Sequence, residues 1–235
     1  MRYFTAEELT KDKKGLANNL LKSLSGKNVR YGLALNLFKE WATKFSWPKE
    51  VMVLDLGTAS GTFTGQLYDE GYRNLHATDL DEYIPAEQKA KLKEFKTGDL
   101  SLDRLPWPDN HFDVVTAWCI LPHLENPFYC IREVARVLKP NGVFMFSALH
   151  LTSKASLDYL RKHGFFGSYR ETNNHISLLP PSVVKKTAAG FFDLIGTDYL
   201  VIPKIFLGWR GQIRRWIYNF AERFPKMKNY LRSRW

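Results

Sequence analysis

The sequence predicts an α/β domain built on a mostly parallel sheet with helices on both faces. Three observations carry that reading. The stretch VMVLDLGTASG (51–61) is a short apolar run followed by a turn with glycine at 57 and 61, the form of a buried strand leading into a tight backbone turn. Strand-like and helix-like segments then alternate to about residue 150, as parallel pairing requires. Acidic residues close two of the next strands, Asp79 after Leu75–Thr78 and Asp99 after Phe95–Thr97. The strand ends thus present Gly, Asp and Asp on the edge of the sheet where ligands bind in such folds.

Residues 1–50 read as a helical segment packing on the core. Thr5 and Glu8 form a capping box, Leu16, Leu20, Leu21 and Leu24 share a face ended by Gly26, and Val29, Leu33, Leu37, Trp41 and Phe45 recur every fourth position. After Gly61 the pattern turns helical through Phe63, Leu67 and Tyr68 and stops at Gly71. Strand, glycine turn and helix open a nucleotide-binding unit, the helix N-terminus facing the ligand. Ala59 replaces the middle glycine of G-x-G-x-x-G, so the turn alone is a weak signal. Asp79, about twenty residues on, can accept both ribose hydroxyls.

Pro85 is expected to start a helix running to about Lys93, and Phe112–Ala117 forms a fourth strand. Asn126-Pro127 caps and starts a helix with Ile131, Val134 and Leu138 on its apolar face. Lys139-Pro140-Asn141-Gly142 is a turn, and Val143–Ala148 the fifth strand. The pattern loosens over 151–181, a substrate-shaping insert. Ser182 then caps a short helix ending at Gly190, and Phe191–Val201 reads as a sixth strand. The core thus spans 51–202, and 203–235 is a basic, aromatic helical tail, within one domain overall.

At 235 residues with 45% hydrophobic and 25% charged content, the chain can bury a core without staples. Its two cysteines, Cys119 and Cys130, lack metal-type spacing, which argues against a disulfide framework or a zinc site. The N-terminus has no apolar signal core and no run can span a bilayer, so a cytoplasmic location is expected. The net charge of +10 is concentrated in 201–235, which holds nine Lys/Arg against Glu222 and implies an anionic partner or surface. Ile213, Trp216, Ile217 and Phe220 can share a helical face beside Arg214 and Arg215. That suits a helix peripheral to the anionic inner face of a membrane or, as the lesser expectation, stacking on RNA. The plain alternative is a terminal helix packed on the core with a solvated basic face.

VLDLGTASG, ATDLD, TGDLSLDRLPWPDNHFDVVTAWCILPHLENP and REVARVLKPNGVFMFS together resemble class I S-adenosylmethionine-dependent methyltransferases, in particular the subfamily with LPFPDNSFDVV and REIARVLKPGG motifs. The resemblance covers about residues 50–150. It implies a Rossmann-like fold with strand order 3-2-1-4-5-7-6; here the sequence stops at Tyr230–Trp235, where strand 7 would begin, so either the sequence is truncated there or that strand is short or missing. It implies S-adenosyl-L-methionine as cofactor and no metal. Asp55 resembles the acid that steadies the loop and the methionine end, and Gly57, Thr58, Ala59 and Gly61 the loop itself. Asp79 matches the ribose-binding acid and Leu80 the apolar residue beside adenine. Asp99 and Leu100 match the pair at the adenine edge, and Ala117 and Trp118 the contacts to the methionine moiety.

A sulfonium methyl donor needs alignment and exclusion of water rather than a covalent intermediate. A base helps where the acceptor is a hydroxyl or a protonated nitrogen. His123 in ILPHLENP and His175 in ETNNHISLLPP are the candidate catalytic bases, ahead of His150; His76 and His111 read as a strand and a turn residue. The expected reaction is in-line methyl transfer to O or N of a small-molecule, glycan or lipid-linked acceptor. The alternatives are an RNA methyltransferase using the tail, a non-catalytic methyltransferase-like scaffold, and a nicotinamide-dependent dehydrogenase. The last predicts neither Asp99 nor LPWPDNHFDVV.

Overall fold

The computed structural model describes residues 29–197. The Thr5/Glu8 capping box, the leucine helix of 16–24 and the basic tail lie outside the described residues. The elements in order are α1 (Val29–Lys44), β1 (Val53–Leu56), α2 (Thr62–Asp69), β2 (Leu75–Asp79), α3 (Ala86–Lys89), β3 (Glu94–Thr97), β4 (Phe112–Ala117), a 3-10 turn (Leu121–His123), α4 (Pro127–Val137), β5 (Leu138–Phe146), α5 (Lys154–His163) and α6 (Pro181–Ala188). The strands form one sheet in the order β3-β2-β1-β4-β5, all parallel. Every residue of β1 and β2 is buried, which is why neither shows the exposed polar alternation of a half-buried strand.

One face of the sheet packs through Leu54, Leu56 and Val115 against α4 and α6, with Val134 and Val184 at the contact. The other packs through Val53, Val114 and Met145 against α1 and α2. Phe38 of α1 is fully buried there, edge-on to Phe63 and Tyr72. The predicted α1 is present, but its buried stripe is Ala34, Phe38 and Ala42, one position along from the row of larger residues. Alanine lets the helix axis approach the sheet, while Trp41, Phe45 and Trp47 stack on one another at the flank.

The two most specific sequence stretches fold onto each other. Arg136 donates to the carbonyls of Leu105 (2.8 Å) and Trp107 (2.9 Å), and Glu133 accepts from Leu105 N–H (2.9 Å). LPWPDN and REVARVL are therefore a clamp that fixes α4 against the loop entering β4. β5 pairs with β4 from Leu138 opposite Phe112, then skips to Val143 opposite Val114. The expected turn at 139–142 is thus a bulge inside the strand, with Asn141 at φ 66°. Three expectations are corrected. The helix after Pro85 ends at Lys89, since none of its residues is buried to extend it. α6 begins at Pro181 with Pro180 at its N-cap, not Ser182. No strand forms over 191–197: Phe192 packs on Phe144, while a Cβ at Gly196 would lie 2.5 Å from the Trp41 indole. The segment passes from one sheet face to the other beside β5 instead of pairing with it; 198–201 lie outside the described residues.

Candidate active site

The site is built where β1, β2 and β4 end. After Leu56 the chain places three alternate residues in the left-handed region, Gly57 (φ 66°), Ala59 (φ 50°) and Gly61 (φ 69°). Gly57 and Thr58 N–H donate to Thr78 O at 2.9 and 3.2 Å, and Gly61 N–H to Thr58 O at 2.9 Å. Asp79 joins this loop directly. Its Oδ2 accepts from Ala59 N–H and its Oδ1 from Leu80 N–H, both at 2.8 Å, in a side chain only 2% exposed. A carboxylate can accept about four hydrogen bonds, so holding the loop does not bar it from ligand hydroxyls. Ile120 and Ile84 close on the glycines: a Cβ at Gly57 would lie 2.6 Å from Ile120 Cγ1, and one at Gly61 2.7 Å from Ile84 Cδ1. Neither isoleucine is singled out by the sequence, because only the fold brings them to the loop.

Asp55 lies within β1, where its Oδ1 accepts from Thr116 Oγ1 at 2.6 Å. Burial pushes its carboxyl up to about 7, against the opposing effect of Thr116 and Thr58, and the nearby Asp79 charge adds to the rise. Thr58 Oγ1 is buried near this carboxyl but does not reach hydrogen-bond geometry with it. Asp99 Oδ1 accepts from Ser101 N–H at 2.8 Å, and its own N–H donates to Asp103 Oδ2. Leu100 packs into the core cluster with Leu121 and Leu124, whereas Leu80 is half-buried beside Asp79. Ala117 is fully buried at the end of β4. Trp118 packs edge-on to Phe63 of α2, and its indole Nε1 is buried without a hydrogen-bond partner. Cys119 follows at φ 59°, its N–H donating to Ser147 Oγ at 2.8 Å.

The two candidate bases, 52 positions apart in sequence, meet in space. The rings of His123 and His175 lie 4.6 Å apart, centroid to centroid. Pro122 O accepts from the N–H groups of Ile176 (2.8 Å) and Ser177 (3.0 Å), so the loop before α6 is laced to the 3-10 turn after β4. On its other side that turn is tied toward the Asp99 loop, Glu125 N–H donating to Ser101 Oγ at 3.1 Å. His150 lies past β5, and burial lowers its basicity. His76 and His111 pack with Phe112 away from this cluster; burial also lowers the basicity of His76.

A profile of the methyltransferase domain family matches residues 54–146, the span that holds β1 to β5 and the loop–Asp79 unit. Residues 54–146 therefore form a methyltransferase domain, of the class I S-adenosylmethionine-dependent kind that the sequence motifs resemble. Among curated proteins it is 32% identical to a probable S-adenosylmethionine-dependent methyltransferase of Mycolicibacterium smegmatis, over 40% of this chain and 37% of the relative. It is 29% identical to the ubiquinone biosynthesis O-methyltransferase of Yersinia pestis, over 46% of each. The matches thus span less than half the length of these relatives. Among solved structures, the [4+2]-cyclase SpnF aligns with a TM-score of 0.57 at 18% identity, over 81% of this chain and 73% of that one. A complex of the Haloferax volcanii Trm112 methyltransferase activator with a methyltransferase aligns at 0.55 and 18%, over 75% and 72%. These likenesses speak to the fold.

The residues around this loop fit the cofactor that a methyltransferase domain of this class implies. A buried carboxylate ends β2 beside a loop of three left-handed residues, and the orphaned Thr58 Oγ1 lies in that loop. Among the described residues no cluster of His, Cys, Asp and Glu is arranged to hold a metal, and no helix is long and apolar enough to cross a membrane.

Proposed function

We propose that this protein transfers the methyl group of S-adenosylmethionine to an oxygen or nitrogen of a small-molecule, glycan or lipid-linked acceptor. The observation that carries the reading is the Asp79–Ala59 hydrogen bond, which makes the acid at the end of β2 and the glycine loop one unit inside the matched domain. In the proposed roles Asp79 accepts the ribose hydroxyls, Leu80 lies along the adenine and Asp99 with Leu100 borders its edge. Gly57 to Gly61 approach the ligand backbone-first, and Asp55, Ala117 and Trp118 border the methionine end. When bound, the cofactor supplies an electrophilic methyl on a good leaving group. The chain's own task is to align the acceptor and exclude water. The ubiquinone biosynthesis O-methyltransferase relative favours oxygen over nitrogen. A role for 203–235 at an anionic membrane, or less readily on RNA, rests on their basic charge and aromatic content in the sequence.

Calorimetric titration of S-adenosylhomocysteine into the full chain and into Asp79→Ala tests the reading, with NADH as control. Binding that falls at least about tenfold in the variant, equivalent to about 1.4 kcal/mol, is expected. Binding of NADH alone, or of neither ligand, sinks it.

A further inference from the structure

The histidine pair carries more than proximity. His175 Nδ1 faces the carbonyl oxygen of Ser168, and His123 Nδ1 faces that of Asn174 at 3.0 Å. A carbonyl can only accept, so each neutral ring must carry its proton on Nδ1, which leaves Nε2 as the proton-accepting nitrogen. Both rings are half-buried and held by short-range ties. Asn173 Oδ1 accepts from His175 N–H, Ser177 Oγ donates to Leu124 O, and Tyr169 O–H donates to Ser177 O at 2.7 Å. Tyr169 is not itself the base: burial holds its hydroxyl protonated and the hydroxyl is already donating. An aromatic ring borders the pair, with a second ring behind it. Tyr169 lies 5.7 Å from His175 and Phe166 6.5 Å from Tyr169, by ring centroids. The 3-10 turn bearing His123 starts beside Ile120, the residue that closes on Gly57, so the pair is tied to the loop at the cofactor end.

The geometry points to a phenol as the acceptor, with His175 Nε2 as its base and His123 as the positioning residue that fixes the His175 ring. The inference rests on the methyltransferase reading above. A neutral amine already presents its lone pair, so two imidazoles held as proton acceptors would have no task with it. A hydroxyl proton must leave, and a phenol, with a pKa of about 10, gives it up to an imidazole far more readily than an aliphatic alcohol does. The phenolic O–H proton passes to His175 Nε2. The oxygen forms the new O–CH3 bond as the C–S bond breaks, and that electron pair leaves on sulfur. The products are an aryl methyl ether, S-adenosylhomocysteine and an imidazolium that returns its proton to water.

Two measurements on the full chain decide it. Long-range 1H–15N spectra of histidine-labelled protein with S-adenosylhomocysteine bound should show both residues as Nδ1–H tautomers, assigned by loss of signals in His123→Gln and His175→Gln. An Nε2–H tautomer at His175 overturns the proposal without any variant having to turn over. Methyl transfer is then followed with catechol and with aniline, an amine that is neutral at pH 7, as probes. Catechol should be the acceptor, with kcat falling about 100-fold or more in His175→Ala, about tenfold in His123→Ala, and KM for catechol little changed. Transfer to aniline instead, transfer to neither, or an unchanged kcat in His175→Ala overturns it. Loss of S-adenosylhomocysteine binding in the unaltered chain would instead bring down the methyltransferase reading itself.

Discussion

The sheet from Val53 to Phe146 and the segment from Leu151 to Thr197 are built on opposite terms. In the first, β1 and β2 have no exposed residue, and the loops at their ends are braced by backbone bonds to Thr78 O and Asp79. In the second, α5 has no buried residue, and Leu178, Leu194 and Ile195 are each about half exposed. The segment is held by a few local ties, Leu179 and Val184 in the core and the bonds from Ile176 and Ser177 to Pro122 O. The proposed cofactor roles fall on the rigid part and those of the acceptor on the lightly held part. One cofactor end can thereby serve many acceptors, because change in the second region leaves the first intact.

Glycine gives the strongest way to break that contrast. Gly57 and Gly164 both have left-handed φ, 66° and 78°. A Cβ at Gly57 would meet Ile120 at 2.6 Å, while one at Gly164 would meet nothing within 4 Å. Gly57→Ala is expected to cost about 4 kcal/mol of stability, overpacking added to strain, and to abolish S-adenosylhomocysteine binding. Gly164→Ala should cost only about 1 kcal/mol and leave that binding intact. Denaturant midpoints with calorimetry on both variants measure the gap; equal losses would mean that the two regions do not differ in packing.

Asp55 sharpens the comparison from the electrostatic side. Its carboxyl is pushed to about 7 in the fold, against about 4 in an unfolded chain. The folded state therefore binds the proton more tightly, and Asp55 costs nothing below about pH 4. Stability falls as pH rises from there to about 7, and the full cost persists above. Asp55→Asn keeps an oxygen to accept from Thr116 and removes the buried charge. It should be more stable than the unaltered chain by roughly 2–4 kcal/mol at pH 8 and equal to it near pH 4. His76 runs the other way: burial lowers its basicity, so its contribution is present above pH ~6.5 and is lost as pH falls below that value. Unfolding curves at pH 4, 6 and 8 separate the two, and a constant Asp55→Asn difference across that range would refute the assignment.

What could be read from the sequence follows the same division. The five parallel strands were legible because β1 and β2 are short buried runs ended by Gly57 and Asp79 and β4 is rich in valine, while their order followed from the resemblance carried in part by LPWPDN and REVARVL, which pair in the fold to seat α4. α5 was not legible: its signals are Ser153 capping Ser156 N–H and Gly164 closing the other end, with no apolar stripe to mark the period. The expected sixth strand failed for a related reason. Phe191, Leu194 and Ile195 are exposed and Phe192 packs on Phe144, so β-forming residues serve local packing rather than a ladder. His123 and His175 were each legible as residues, but their meeting depends on Pro122 O, a backbone atom that no side-chain pattern encodes.

The smallest effect concerns the residue that departs from the glycine pattern. Ala59 holds φ 50°, a region that costs an L-residue roughly 1–2 kcal/mol. It stays there because its N–H bonds to Asp79 and because the neighbouring Gly57 and Gly61 are fixed by Ile120 and Ile84. Ala59→Gly relieves that strain but adds freedom to the unfolded chain worth about 0.4–1 kcal/mol. The net expectation is a gain of about 0.5 kcal/mol, with S-adenosylhomocysteine affinity unchanged, because the Asp79 bond is to the backbone. A loss of stability on Ala59→Gly would mean that the methyl group packs against something the loop needs. Unchanged stability together with weaker binding would mean that the alanine pre-orders the loop for its ligand, placing the rigidity of the cofactor end in residue 59 rather than in Asp79.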